Sequence, residues 1–453
     1  MTDLSAAGGM PGAAARGKQS ILIASPEMKR RNSRETRFRI YGIVAIAFSL
    51  AVLALMLFII IRDGTSAFFQ AKLTFPVTLD AAVLDPMGNG NRDEMTKVTT
   101  IGYGKVLSAS LHAVLAEKGI DTGELSDKDI EAVISKDAAG GLRAEVLADP
   151  SMLGKTLEMT VLAAGRIDGY LKGRVSRQSA ERDGNISPEQ LDLADKLGDA
   201  GILASAFNLG FLTMPDASDQ RPEAAGLGVA LVGSLYMMLL VALMCVPVGV
   251  AASIYLEEFA AKNRWTDLIE VNISNLAAVP SIVFGILGLA VFINFMEFPQ
   301  SSSLVGALVI SLMTLPTIII ATRSAIRAVP PSIRDAALGI GASKMQTVFH
   351  HVLPLAMPGI LTGAILGLAS ALGETAPLLL IGMVAFVDNY PGAPVDGILD
   401  PATALPVQVY SWASRSDPAF IERSNGAIIV LLVFLLIMNV AAILLRRKFE
   451  RRW

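Results

Sequence analysis

The chain has 453 residues, 53% of them hydrophobic and 17% charged, with a net charge of −3 and a mean hydropathy of +0.53. Soluble domains carry closer to a quarter charged residues, so this composition belongs to a membrane-embedded chain. The near-neutral charge and sparse aromatics exclude a basic or base-stacking surface for nucleic acid. The single cysteine, Cys245, lies in an apolar run and excludes an internal disulfide.

Residues 1–39 are hydrophilic and read as a cytoplasmic tail, followed by a first membrane helix over 40–62. No small-residue cleavage site follows that run, so it reads as a retained anchor. Residues 63–226 are too polar to span a bilayer and read as an exported, mostly helical domain. "SPEQLDLADKL" opens with Ser187 as N-cap, Pro188 at the first helical position and Gln190 completing a capping box. "LSDKDIEAVI" starts in the same way at Ser126, and "DPMGNGNRD" and "SAERDGNIS" supply turns. "LGKT", Leu153 to Thr156, ends like a phosphate-binding loop, but Asp149 stands where that loop needs glycine.

Five further apolar runs follow, roughly 227–256, 272–296, 303–322, 355–386 and 427–445, each long enough for the about 20 residues a membrane helix needs. Pro247, Pro280, Pro316 and Pro377 interrupt them, as neighbouring helices in a membrane allow. The fold class is therefore an all-α membrane protein with six membrane helices plus the exported domain. Orientation follows from basic residues. Lys29, Arg30, Arg31, Arg34, Arg37 and Arg39 flank the first span, and Arg446, Arg447, Lys448, Arg451 and Arg452 flank the last. Six spans then put both termini in the cytoplasm, with the loops carrying Lys262 and Arg264, and Arg323, Arg327, Arg334 and Lys344.

The loop over 323–354 contains "SIRDAALGIGASKMQTVFHHVLPLAMPG". Asp335-Ala336-Ala337 starts a short helix, Gly339 and Gly341 permit a sharp turn, and a second helix places Met345, Val348 and Phe349 on one face. Leu353-Pro354 ends it before the next span. An interfacial amphipathic linker would account for the same residues. Glu374 is an acid in an apolar run, and such a residue marks a functional or structural site in a membrane. While ionised it repels an anion, so it reads as a gating or structural group, and a buried acid joining two helices fits equally. Thr375 can donate its hydroxyl to an oxyanion. His112, His350 and His351 make no metal-ligand pattern with cysteine or acids, so no metal site and no catalytic set are expected.

Asp335-Ala336-Ala337, Gly341 and Leu353-Pro354 resemble the EAA loop of ABC importer permeases. Asp335 stands for the usual glutamate, and His351 occupies a position that is usually aliphatic. "NLAAVPSIVFGILGLAVF", Asn275 to Phe292, and "GILTGAILGLASALGETAPLLL", Gly359 to Leu380, are similar to the phosphate branch, the PstA permeases, over about 226–449. The resemblance implies a type I importer core at 227–449 in a bacterial inner membrane. It implies that 323–354 couples to a separate ATPase. It implies a pathway or gate including Ser370, Gly373, Glu374, Thr375 and Pro377. Ser370 stands where phosphate permeases often carry arginine. No cofactor is expected on this chain, and ATP and Mg belong to the partner. The implied partners are a PstC-like second permease, a PstB-like ATPase dimer, a PstS-like external phosphate-binding protein and membrane lipid. Import of another oxyanion, sulfate or molybdate, fits the same loop. A polytopic membrane protein with a partner-binding exported domain leaves the loop unexplained.

Overall fold

The computed structural model describes residues 26–88, 90–383 and 386–449. Residues 1–25 of the expected tail, and Arg451 and Arg452, lie outside the described residues. The chain divides into two units, Met1–Ile59 and Ile60–Trp453. The first holds most of helix α1, Pro26–Gly64, whose apolar side chains such as Ile43, Phe48, Leu53 and Phe58 are exposed. A helix apolar on every side finds its solvent in lipid.

The second unit begins with a domain inserted ahead of the remaining spans. Its centre is a three-stranded antiparallel sheet in the order β2-β1-β3, with β1 Phe69–Thr78, β2 Thr156–Leu162 and β3 Leu203–Phe207. Helices α2 (Thr100–Glu117), α3 (Ala138–Ala148), α4 (Gly165–Leu171) and α5 (Pro188–Asp199) surround it. The capping boxes at Ser187 and Ser126 form, the second with Asp129. The domain is mostly helical, as expected, but the sheet corrects the all-α fold class. In β1 the residues Ala71, Leu73, Phe75 and Val77 alternate into the core and are nearly inaccessible, which is the period of a half-buried strand. Pro76 hides this signal, since proline is unwelcome in a central strand. Thr74 still donates to Ile202 O on the β3 side at 2.8 Å. Pro76, two residues on, faces the same side beyond the end of β3, so its missing N–H costs no ladder bond.

The remaining helices follow as α6 (Gly228–Ile254), α7 (Arg264–Leu276), α8 (Ser281–Gly288), α9 (Ser303–Arg327), α10 (Pro331–Gly339), α11 (Leu353–Leu372), α12 (Ala376–Leu380), α13 (Leu405–Ala413) and α14 (Pro418–Phe449). Five helices among the described residues are long and apolar enough to cross a membrane, or six if a pair bent by 101° is one span. That pair is α7 with α8 and its π-helical extension, so the expected straight span 272–296 is broken. Ala278 and Val279 close tight turns onto Asn275 and Leu276, and Pro280 starts the next helix in an extended conformation. Pro247 and Pro316 lie inside continuous helices. The expected span 355–386 also breaks, at Gly373-Glu374-Thr375.

Small residues set the close packing. Gly359, Gly363 and Gly367 recur every four residues on α11, and a β-carbon on them would meet Ala325, Ala321 and Ile318 of α9 at 2.7, 2.4 and 3.2 Å. Without a hydrophobic driving force between helices in lipid, such backbone approach is what holds them.

A buried polar network ties the inserted domain to α14. Asp168 accepts from Ala71 N at 2.9 Å and pairs with Lys172 and Arg174 at 2.9 and 3.0 Å. Both cations also reach Glu422, each at 2.8 Å. Arg423, 3% exposed, donates to Ala225 O, Glu223 O and Gln70 Oε1 at 2.8, 3.0 and 2.9 Å. Every charge in this set has an opposite charge or a carbonyl beside it, as burial requires.

Candidate functional site

The 323–354 segment is a helix, a left-handed glycine and a second helix. α10 starts at Pro331, so Asp335 lies in its interior and not at its start, a correction that follows from proline's fit to the first helical turn. Asp335 and Ala336 are exposed, while Ala337 is buried. Gly341 follows with φ of +89°, a region L side chains avoid. Ser343 then caps the next helix by a capping box with Gln346. Leu353-Pro354 does not end that helix, because helical structure runs without a break from Lys344 to Leu372. The turn before Pro354 is a π-helix, Thr347–Val352. Widening the ladder there relieves the clash between the proline ring and the carbonyl four residues back.

Val348 points into a core with Val352, Ile326 and Val329, whereas Met345 and Phe349 are half-exposed, so the three do not share one buried face. Leu338 and Ile340 are also exposed, Ile340 at 82%. His350 and His351 are exposed, which removes any packing conflict at His351.

The segment's anchor was not legible as such. Arg334 donates to Glu258 Oε1 at 2.7 Å through Nη2 and 3.0 Å through Nε. It also donates to Val329 O and Ile326 O at 2.7 and 3.0 Å. Glu257 takes Arg327 at 2.8 Å and Arg323 at 3.3 Å, and Arg323 reaches Glu270 of α7 at 2.5 Å. Glu257 and Glu258 lie in a π-helical turn, Tyr255–Phe259, at the end of α6. The arginines read as orientation signals are therefore also structural ties. The one available signal was an acidic pair closing an apolar run opposite a loop rich in arginine.

The second cluster lies where two broken helices cross. A β-carbon on Gly285 of α8 would sit 2.7 Å from Pro377 Cα of α12, and one on Gly288 would sit 2.2 Å from Val309. The two stretches singled out by resemblance are thus in contact. Glu374 is not in a helix but in the break between α11 and α12. Gly373 and Glu374 donate to Ser370 O and Ala371 O at 3.2 and 3.3 Å, tight turns that unwind the last turn of α11, and Thr375 caps α12 through its carbonyl. Ser370 and Gly373 are exposed, Glu374 and Thr375 half-buried, Pro377 buried. The Glu374 side chain has no ion-pair partner among the described residues. No group of three or more histidine, cysteine or acidic residues that could hold a metal occurs among them.

A chain with apolar spans, a loop tied to them by ion pairs and two broken helices packed against each other has the parts of a membrane permease. Residues 245–453 match the model of the binding-protein-dependent transport system inner membrane component family, and residues 25–181 match a domain of unknown function, DUF3333. The probable ABC transporter permease protein YqgI of Bacillus subtilis is 30% identical over 249 residues, 53% of this chain and 84% of that one. The phosphate transport system permease protein PstA 1 of Mycobacterium tuberculosis is 31% identical over 229 residues, 51% of this chain and 73% of that one. An inward-facing structure of the MetNI methionine ABC transporter aligns with 14% identity and a TM-score of 0.37 over 50% of this chain and 95% of that one. The chain belongs to the binding-protein-dependent ABC transporter permeases, and within them it is PstA-like.

Proposed function

We propose that this chain is the permease subunit of an ATP-driven importer that carries inorganic phosphate into the bacterial cytoplasm. The observation that carries the reading is the 323–354 segment, tied by Arg323, Arg327 and Arg334 yet presenting Leu338 and Ile340 to solvent. A push at Ile340 reaches α6 through Arg334 and Glu258, and reaches Glu374 along the helix 344–372. The partner that pushes is a separate PstB-like ATPase dimer, which carries the ATP and Mg, and this chain binds neither. A PstC-like permease and a PstS-like external binding protein complete the assembly. The basic flanks favour cytoplasmic termini, a cytoplasmic 323–354 segment and an external 63–226 domain.

Phosphate is favoured over other oxyanions by the PstA relatives and by "GETAPLLL", Gly373 to Leu380. An ionised Glu374 repels an oxyanion, so its role is to gate. The Thr375 hydroxyl and backbone N–H groups of the break supply direct contacts. Transport then requires that these contacts differ between the two facing states, because only differential interactions shift an equilibrium.

The test is reconstitution with the second permease, the ATPase and the binding protein, followed by labelled uptake. ATP-dependent phosphate uptake is expected. Uptake of sulfate or molybdate alone would replace the substrate, a reading that Ser370 in the arginine position keeps in view. Uptake without ATP would overturn the importer.

A further inference from the structure

We infer that the cleft between the inserted domain and the first turn of α14 is a docking site for an acidic segment of a protein partner on the external side. This rests on the orientation and importer reading above. The cleft encloses about 890 Å3, within the size range of specific sites and far larger than an inorganic oxyanion fills.

Its charges are unevenly satisfied. Lys105, Lys128 and Lys136 line it, all exposed and none in an ion pair among the described residues. The lining acids are mostly engaged: Asp417 by Arg166 at 3.6 Å, Asp219 by Arg415 at 3.3 Å, and Glu223 by the Ser135 hydroxyl at 2.6 Å. Among the described residues Glu131 is the one lining acid with neither an ion pair nor a side-chain hydrogen bond. The unmatched charge at the rim is therefore positive, on a domain where acids outnumber bases. Complementary charge of this kind steers and selects a partner.

The floor argues for a protein segment over a small anion. Glu223 lines it and is 5% exposed, its carboxylate an acceptor for the Ser135 hydroxyl. A small anion that sank past the lysines would meet this carboxyl, whereas a segment lying across the rim would not. Ile101 lines the same cleft and is 71% exposed. An exposed apolar residue ringed by charge is the anatomy of a protein contact. Because Asp417 and Ala419 of the α14 start also line the cleft, a docked segment touches the inserted domain and a permease helix together.

The experiment uses the assembled complex in nanodiscs and the purified external phosphate-binding protein as probe, with binding read without ATP. Replacing the three lysines with glutamate (Lys105→Glu, Lys128→Glu, Lys136→Glu) is expected to weaken binding at least about tenfold and to flatten its salt dependence. The lysine side chains are exposed, and Lys→Gln at the same positions, with a smaller loss, separates charge from folding. Lys128→Cys gives a thiol for crosslinking, since the native Cys245 is buried. Unchanged affinity in the reversed variant, with no crosslink from position 128, overturns the docking site. Phosphate uptake is scored separately: its failure in the unsubstituted complex removes the transport reading and leaves the binding result to stand or fall alone.

Discussion

Arg334 and Glu258 meet 76 residues apart in sequence and 2.7 Å apart in space. The Glu258 side chain is 9% exposed, and Arg334 also satisfies the carbonyls of Ile326 and Val329 at the end of α9 and just beyond it. One side chain thus fixes the exposed loop to two membrane helices. Removing it leaves a poorly solvated carboxylate and the Val329 carbonyl without their arginine donor, while Ile326 O keeps the Val329 N–H. We expect Arg334→Ala to cost about 1–3 kcal/mol, below the full cost of breaking a buried pair because Arg334 is partly exposed. ATP turnover by the complex should continue while labelled phosphate uptake falls. Coupled uptake at the unsubstituted rate would remove the tie from the mechanism.

Gly341 is the hinge of the same segment. Its φ of +89° and open surroundings mean that backbone strain, not crowding, limits substitution. A β-branched residue pays about 1–2 kcal/mol there. Gly341→Val should insert into the membrane normally but lose most of its co-purifying ATPase. Gly341→Asn, which tolerates the left-handed region better, should retain more. Equal retention in both variants would show that the turn geometry is irrelevant to docking.

Where α8 crosses α12, Gly285 has no room for a side chain. Overpacking of this kind costs about 1–3 kcal/mol. Gly285→Leu is expected to pry the two half-helices apart, lowering uptake and thermal stability together. The adjoining Glu374→Gln removes charge without changing shape. It should slow uptake several-fold while leaving melting temperature and ATPase retention unchanged. Loss of folding in Glu374→Gln would point to a structural acid in place of a gate.

Glu223 gives a pH signature. Burial raises its carboxyl above the ordinary value, against the opposing hydrogen bond from Ser135. The folded chain therefore holds this proton more tightly than the unfolded chain. The group's contribution is most favourable below the unfolded value of about 4.3 and declines as pH rises toward the raised folded value. Glu223→Gln should abolish that decline. Melting curves between acid and neutral pH should show wild type losing ground to the variant as pH rises, and a constant gap would refute the assignment.

Much of this was legible in one sequence. Long apolar runs announced the spans, and Ser126 and Ser187 announced their helices, because hydropathy and capping are local. Three features were hidden for separate reasons. Pro76 masked the alternation of β1, although it lies past the end of β3. Pro247, Pro280 and Pro316 look alike in sequence, yet of the three only Pro280 stands at a break, made by the tight turns at Ala278 and Val279. The partners of Arg323, Arg327 and Arg334 are 53 to 76 residues away, and no local rule pairs them. At the second cluster the composition of "GETAPLLL" was visible, but not that Glu374 falls in a break.

The network joining Asp168, Lys172 and Arg174 to Glu422 and Arg423 bears on how the molecule is made. Synthesis runs from the N-terminus, so the inserted domain emerges some 200 residues before its partners in α14. Until the last helix arrives, Lys172 and Arg174 have Asp168 but not Glu422 as an ion-pair partner, and Gln70 has no arginine beside it. Arg423 in turn enters near the start of an apolar helix and finds carbonyl acceptors already in place. The final helix is thus the keystone of biogenesis, and a chain cut short before residue 418 would leave a folded-looking domain with an unfinished seam for quality control to find.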